Sequence, residues 1–393
     1  MIRRITLLAA LPLLLIFVAC PPPANTEFGA ALPLTGAAAV YGNSLKNGAE
    51  VAIEVINAKG DPEIPALTLR VEDSASTPEG AKAALETVFS SSLAAIGGVT
   101  SDTALAAVEV ADSADKVLLS PTASSPSLKR ASRNLFLLFP SVQDEAVTMG
   151  RFLTDTLGRK SAGALAEDSA FGAAASTAFE EVFAGEFVGS RSFTADNVAA
   201  MAAELKEAGA QGVYVGAQGD QLIAASQAAK AAGLEVYATS ALASPAIITA
   251  AGAGAEGAFF TETEFDKDSE DPQIVEFVTA YEAKFGSKPD LYAAYGFDSV
   301  LVMAEAYKET GGVTVPSDFA KGMRALSNFP GVTGNIQFRE DGSVQKFNRV
   351  YFIADGEAVD YQSWRKARED EFKRKQQELT KKMEAMRRRQ QSN

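Results

Sequence analysis

The sequence predicts an α/β protein built as two doubly wound parallel-sheet lobes. Three observations carry that reading. Short apolar runs alternate with helical patterns along most of the chain, as strands buried on both faces alternate with their covering helices. The strand–helix step recurs about a dozen times, too often for one compact unit. The chain has 393 residues, enough for two domains with appendages.

The elements follow in order. Met1–Ala19 carries Arg3 and Arg4, the apolar run Ile5–Val18 and a small residue, Ala19. That is the layout of a secretory signal peptide, and the run falls short of the ~20 apolar residues a membrane span needs. The segment Phe17-Val18-Ala19-Cys20 resembles a bacterial lipobox, with Phe17 where Leu is usual and Cys20 as the lipidated residue. Residues 20–27 then read as a lipidated tether stiffened by Pro21–Pro23.

From Thr26 the order is strand, loop, helix. TEFGAALP leads to Thr35-Gly36, and Asn43 is the expected cap of a helix whose Leu45, Ala49, Ala52, Ile53 and Ile56 share a face as far as Gly60. ALTLRVED alternates as a strand, Pro78–Ser90 is a helix and Leu93–Ile96 a strand. Helix Asp102–Ala114 and strand Val117–Leu119 follow. LFLLFP and SAGALAE are apolar segments on either side of a helix through Phe152. Helices Phe171–Phe183, Val198–Ala208 and Asp220–Ala232 then alternate with strands Phe187–Phe193, Gly212–Gly216, Glu235–Ala238 and Gly257–Glu262. After Asp271 the pattern is helical, over Pro272–Phe285, Tyr292–Lys308 and Asp318–Leu326. Asp341-Gly342 between two alternating runs predicts a closing hairpin.

Composition removes several function classes. Histidine is absent and Cys20 is the single cysteine. A Ser-His-Asp triad, a Cys-His pair, a His-ligated zinc and an intrachain disulfide are therefore impossible. Carboxylate- or lysine-based catalysis is not excluded by composition, but no enzyme, cofactor or metal site is expected. Net charge is −14, and residues from Trp364 onward hold eleven Lys/Arg against five Asp/Glu. The body is thus strongly acidic and unsuited to nucleic acid or anionic membrane. The 363–393 tail is helix-forming, with Phe372, Leu379, Met383 and Met386 in a thin seam around Gln376. It reads either as a solvated extension or as a contact with anionic lipid, a partner or another copy.

Gly252-Ala253-Gly254-Ala255-Glu256-Gly257 spells GxGxxG, but it follows a helix and enters a strand, the reverse of a dinucleotide site, so it reads as a loop. No GxxxxGK[ST] is present, which excludes a P-loop ATPase.

Ile96–Pro126 holds the strongest site signal. Two loops rich in Gly, Ser and Thr each follow a short apolar strand, where open parallel sheets bind ligands. Hydroxyls and free N–H groups there suit an anionic or strongly polar small molecule. The plainer alternative is a pair of turns, with Ser101 or Asp102 capping a helix. Tyr41 and Phe171 each stand beside glycine in a polar loop, which favours a cleft over a core position.

Several stretches then fall into one ordered pattern: ALPLTGAAAVYGNSLKNGAEVAIEVINAKG, IGGVTSDTALAAVEVADSADKVLLSPTASSPSL, AEDSAFGAAASTAFEEVF, YAAYGFDSVLVMAEA and GVTGNIQFREDGSVQKF. Over roughly Phe28 to Tyr361 the chain resembles the branched-chain amino-acid-binding branch of the periplasmic binding proteins, the substrate-capturing subunits of ABC importers. The resemblance implies the type I fold, with lobe one at 28–139 plus 271–330 and lobe two at 140–270 plus 331–362. It implies a hinged cleft, a small polar ligand, permease subunits as partners and, with Cys20, a lipid-anchored protein outside the cytoplasm. In those proteins a hydroxyl and N–H groups of the first loop hold the ligand carboxylate with a small-residue–Thr pair of the second. The matching positions are Thr100 and Ser101, then Ala123 and Ser124. Tyr41 and Phe171 match the aromatic residues before glycine on the two lobes.

Two departures stand out. Gln218, with Gly219, replaces aromatic residues that often wall the pocket, and Ser240 stands where an acidic residue often meets the ligand ammonium. A buried ammonium without a carboxylate costs several kcal/mol. Amino acids, other carboxylates and amides therefore remain open, with Asp168, Asp220 or Glu262 as acids that could fill the role. A second class also stays open: lipoproteins of this fold that regulate cell-wall synthases through protein contacts.

Overall fold

The structure, a computed structural model, describes residues 26–312 and 315–391. The 1–19 leader and Cys20 lie outside the described residues.

Strands β1 (Thr26–Leu32), β2 (Leu67–Asp73), β3 (Ala94–Gly97), β4 (Val117–Ser120) and β5 (Leu135–Leu137) form one parallel sheet in the order β2-β1-β3-β4-β5. β3 and β4 are buried at every position, because helices cover both faces of the sheet. Helix α1 (Ala39–Lys59) packs on one face. Helices α2 (Pro78–Phe89) and α3 (Ser101–Ala114) pack together on the other, around Leu85, Val88 and Ala107.

A second sheet holds β6 (Ser161–Glu167), β7 (Glu186–Phe193), β8 (Gly212–Gly216), β9 (Glu235–Ala238) and β10 (Phe259–Thr263), extended by β13 (Asn348–Ala354) and β14 (Glu357–Asp360). Its order is β14-β13-β10-β9-β8-β6-β7, and β13 runs antiparallel to both of its neighbours, β10 and β14. Helices α4 (Val142–Arg151), α5 (Ala170–Val182), α6 (Val198–Glu207), α7 (Gly219–Ala231) and α8 (Pro245–Ala251) flank it.

After β10 the chain returns to the first lobe. Helices α9 (Pro272–Phe285) and α10 (Leu291–Glu309) lie against α1, and α11 (Pro316–Ala325) against α10. The α1–α10 contact is backbone-close: a Cβ on Gly48 would sit 1.8 Å from the Ala293 carbonyl oxygen. A small hairpin, β11 (Phe329–Gly331) and β12 (Gly334–Ile336), precedes the last crossing to β13.

Three readings of the sequence are corrected. Helix α1 begins four residues before Asn43, with Ala38 at its cap position and no side-chain cap. Asn43 instead lies inside the helix and donates Nδ2 to the carbonyls of Leu34 and Ala39. Across Asp341-Gly342 a single antiparallel bridge, Phe338 to Val344, forms among the described residues, and Ser343 bridges instead to Leu137 of β5. The regular closing hairpin is β13–β14, turning at Asp355 and Gly356, both at positive φ. The cap of α3 is Thr100 rather than Ser101 or Asp102.

The chain ends in α12 (Tyr361–Gln391). Its first turn is pinned to lobe two by aromatic contacts, Tyr361 to Phe152 at 4.8 Å and Trp364 to Phe352 at 5.3 Å between ring centres. No helix among the described residues is long and apolar enough to cross a membrane.

Candidate functional site

The site begins where the two parallel sheets end. β3 leads through Gly98-Val99 into α3, and Thr100 caps that helix reciprocally: its Oγ1 accepts from Thr103 N, and Thr103 Oγ1 accepts from Thr100 N. This satisfies one orphan donor of the first turn and leaves the N–H groups of Ser101 and Asp102 without protein partners among the described residues. Such N–H groups, at the positive end of a helix, are the chemistry of a carboxylate seat.

The second loop follows β4. Ser120 Oγ donates to the Gly98 carbonyl, and Thr122 Oγ1 to that of Val99, each at 2.7 Å. Ser101 is wholly buried, and its Oγ accepts from Ser125 N at 3.2 Å. The two loops are thus tied into one unit. Its side chain therefore braces the loops and does not line the cavity. Ala123 is likewise buried behind the loop. Ser124 does line the cavity, and its hydroxyl has no hydrogen-bond partner among the described residues.

From lobe one, α1 contributes Tyr41 and the start of α10 contributes Tyr292, with ring centres 4.7 Å apart. From lobe two come Phe171 at the start of α5, Gln218 ahead of α7, and the turn Ser240–Ala243 after β9. Five of the eight residues singled out in the sequence, Tyr41, Ser124, Phe171, Gln218 and Ser240, line one central cavity. Thr100 lies outside it and borders an adjoining cavity of about 320 Å³, shared with Asp102, Glu167 and Gln218. Tyr41 and Phe171 are each only 2% exposed, so they are core and cleft residues at once.

The lobes meet directly across this cleft. Tyr41 Oη accepts from Gly219 N at 3.0 Å and donates to the Ala241 carbonyl at 3.1 Å. Tyr292 Oη donates to the Ser240 carbonyl at 3.0 Å, and Ala170 N donates to Asp102 Oδ1 at 3.3 Å. Gly219 has φ +52°, and a Cβ there would lie 2.2 Å from the Ala37 carbonyl oxygen of the other lobe. The central space for the centre of a water molecule is about 10 Å³, about the room one water needs. A solute of amino-acid size therefore enters only when the lobes separate.

Glu145 of α4 escaped the sequence reading. It is 1% exposed, and its carboxylate accepts from Ser240 N at 2.7 Å, Ser240 Oγ at 3.1 Å and Thr261 Oγ1 at 2.7 Å. Burial pushes its pKa up to about 7. It sits behind Ser240 and fixes the turn whose carbonyls face Tyr41 and Tyr292. Ser240 is thus engaged from behind by an acid located 95 residues earlier in the chain. No single-sequence signal links the two positions.

Glu167 is the acid at the mouth. It accepts from Gln218 N at 3.0 Å and Ser169 Oγ at 2.8 Å, and burial, with Asp102 nearby, raises its pKa to about 6. Asp168 and Asp220 border neither cavity. Glu262 points away, into a groove beside Asp266, Asp290 and Lys267. No Lys or Arg lines either cleft cavity. The arrangement offers hydroxyl and N–H donors on lobe one and carboxylate oxygens at the mouth, a pairing suited to a solute with both an anionic and a cationic group.

The sequence matches the periplasmic binding protein family over residues 26–358. A leucine-, isoleucine-, valine-, threonine- and alanine-binding protein of Pseudomonas aeruginosa is 25% identical over 333 residues, covering 80% of this chain and 86% of that protein. Leu/Ile/Val-binding protein homolog 3 of Brucella melitensis is 25% identical over 339 residues, with coverages of 82% and 89%. Among solved structures, the isoleucine complex of a branched-chain amino acid transporter substrate binding protein from Streptococcus pneumoniae superposes with a TM-score of 0.78 at 22% identity, covering 85% of this chain and 98% of that one. An ABC transporter solute binding protein from R. palustris, in complex with benzoate, gives 0.76 at 20%, covering 86% and 96%. At these identities the structural likeness is one of fold.

Proposed function

This chain belongs to the periplasmic binding protein family, and we propose from that premise that it is the solute-capturing subunit of an ABC importer. Its ligand is a small polar molecule bearing a carboxylate, with α-amino acids first in rank. The observation that carries the reading is the cleft between the sheets' carboxyl ends, where the unpartnered Ser124 hydroxyl lines the central cavity and Asp102 and Glu167 line the adjoining one, with no cation among the lining residues. Ser124 and the Ser101 N–H take the ligand carboxylate. Glu167 takes the ammonium, the role that Ser240 lacks the charge to fill. Capture is by differential affinity: a ligand touching both lobes favours the closed form, and a permease receives the loaded lobes. On this reading the lobe boundaries near residues 139, 270 and 330 are the hinge crossings.

A thermal-shift panel tests the ligand class. α-Amino acids are expected to raise the melting temperature by several degrees, and the matching 2-hydroxy acids, which lack the ammonium, to do so less. Stabilisation by the hydroxy acids alone would remove Glu167 from its role. The direct Tyr41–Gly219 and Tyr292–Ser240 contacts support a second reading, a cleft that no longer binds solute in a protein that acts through its surface. A panel with no stabilising solute favours that reading.

The leader and Cys20 support attachment by an N-terminal lipid on the outer side of a membrane. A Cys20→Ser variant is expected to leave the membrane fraction for the soluble one, as read by fractionation and blotting. Retention in the membrane fraction would contradict the anchor.

A further inference from the structure

Helix α12 projects beyond its aromatic anchor and bares an apolar seam. Phe372, Leu379, Met383 and Met386 are each more than half exposed along it. With Gln376 they recur at alternating intervals of four and three residues, the 3.5-residue period of a coiled-coil face. Written as a heptad, Phe372, Leu379 and Met386 are d positions, and Gln376 and Met383 are a positions.

The flanks of this seam are one-signed. The e and g positions over the same span are Lys373, Lys375, Thr380, Lys382 and Arg387, all exposed and none acidic. The acids Asp370, Glu371, Glu378 and Glu384 fall at b and c, away from the seam, and Glu369, at the a position ahead of Phe372, pairs with Arg365 of the same helix. Charge at e and g decides which helix a seam accepts.

We infer that α12 is a docking helix for an acidic amphipathic helix of another protein, one with apolar a and d positions and Glu or Asp at e and g. A second copy of this chain is the poorer occupant. Parallel or antiparallel, its Lys and Arg would lie against those of the first. A lipid surface is also the poorer occupant, since interfacial helices bring a broad apolar face, whereas this one is a single seam interrupted by Gln376. That polar a position serves to fix register with the partner. The inference does not depend on what the cleft binds.

Three probes against the full chain separate the possibilities: a 21-residue peptide with Leu at a and d and Glu at e and g, the same peptide with Lys at e and g, and vesicles of phosphatidylcholine with phosphatidylglycerol. By fluorescence anisotropy the Glu peptide is expected to bind saturably in the micromolar range, weakening roughly tenfold as salt rises from about 50 to 500 mM. The Lys peptide and the vesicles are expected not to bind. Phe372→Ser with Leu379→Ser is expected to abolish Glu-peptide binding while leaving the melting temperature of the body unchanged. No binding of the Glu peptide, or equal binding of both peptides, overturns the inference. Vesicle binding lost in the double variant assigns the seam to a membrane instead. A full-length dimer in size-exclusion chromatography with light scattering, lost in the same variant, assigns it to a second copy.

Discussion

Glu145 and Glu262 are buried in lobe two without an ion pair among the described residues, and burial raises their pKa values to about 7 and about 8 from an ordinary 4.5. The folded chain therefore keeps protons that the unfolded chain releases above pH 4.5. Where the native state binds more protons, stability falls as pH rises. Stability is expected to be greater at pH 5 than at pH 8, with the loss setting in above the ordinary 4.5 and complete by about 7 for Glu145 and about 8 for Glu262. The two carboxyls differ in what surrounds them. Glu145 has three hydrogen-bond donors, whereas Glu262 has Asp290 and Asp360 nearby, opposed by Lys267. Glu262→Gln should therefore raise stability at pH 8 by about 1–3 kcal/mol and flatten the slope, as urea melts at the two pH values would measure. An unchanged slope would mean that Glu262 ionises freely in the folded protein.

At the scale of elements, the strand–helix alternation was legible because a strand buried on both faces must be continuously apolar. VLLS at β4 and AAIG at β3 say so without any tertiary knowledge. The start of α1 was not legible, because Ala38 supplies no side-chain cap and Asn43, a good cap by type, lies one turn inside. The closing hairpin was displaced for a similar reason. Asp341-Gly342 and Asp355-Gly356 are equally good turn signals, and pairing with β10 decides which of them joins two regular strands. The lobe-one loops were readable from their hydroxyls. The role of Glu145 was not, since its contacts with Ser240 and Thr261 come from packing between distant segments. The loop before α7 carries its own prediction. Because a Cβ at Gly219 would meet the Ala37 carbonyl, Gly219→Ala should hold the lobes apart. It is expected to enlarge the radius of gyration in X-ray scattering and to weaken ligand binding about tenfold or more. A closed particle with normal affinity would show that the approach at Gly219 is not needed for closure.

For the whole molecule, two sheets of separate order are joined so that their carboxyl ends face one another, and the cleft is built from both. Neither lobe lines the central cavity alone. Lobe one brings Ser124, the α3 N-terminus and the two tyrosines; lobe two brings Phe171, Gln218, Glu167 and the turn that Glu145 fixes. With the lobes together, Tyr41 and Tyr292 bond directly to lobe-two backbone. A bound solute must compete with those bonds, which makes affinity a difference between ligand contacts and contacts the lobes already make. Isothermal titration of the wild-type chain and of Ser124→Ala with the most stabilising amino acid tests this most directly. One saturable site of micromolar or tighter affinity is expected, weakened by about 1–3 kcal/mol in the variant, because a buried carboxylate would lose a donor. An unchanged affinity in Ser124→Ala, or no heat with any amino acid of the panel, would contradict it.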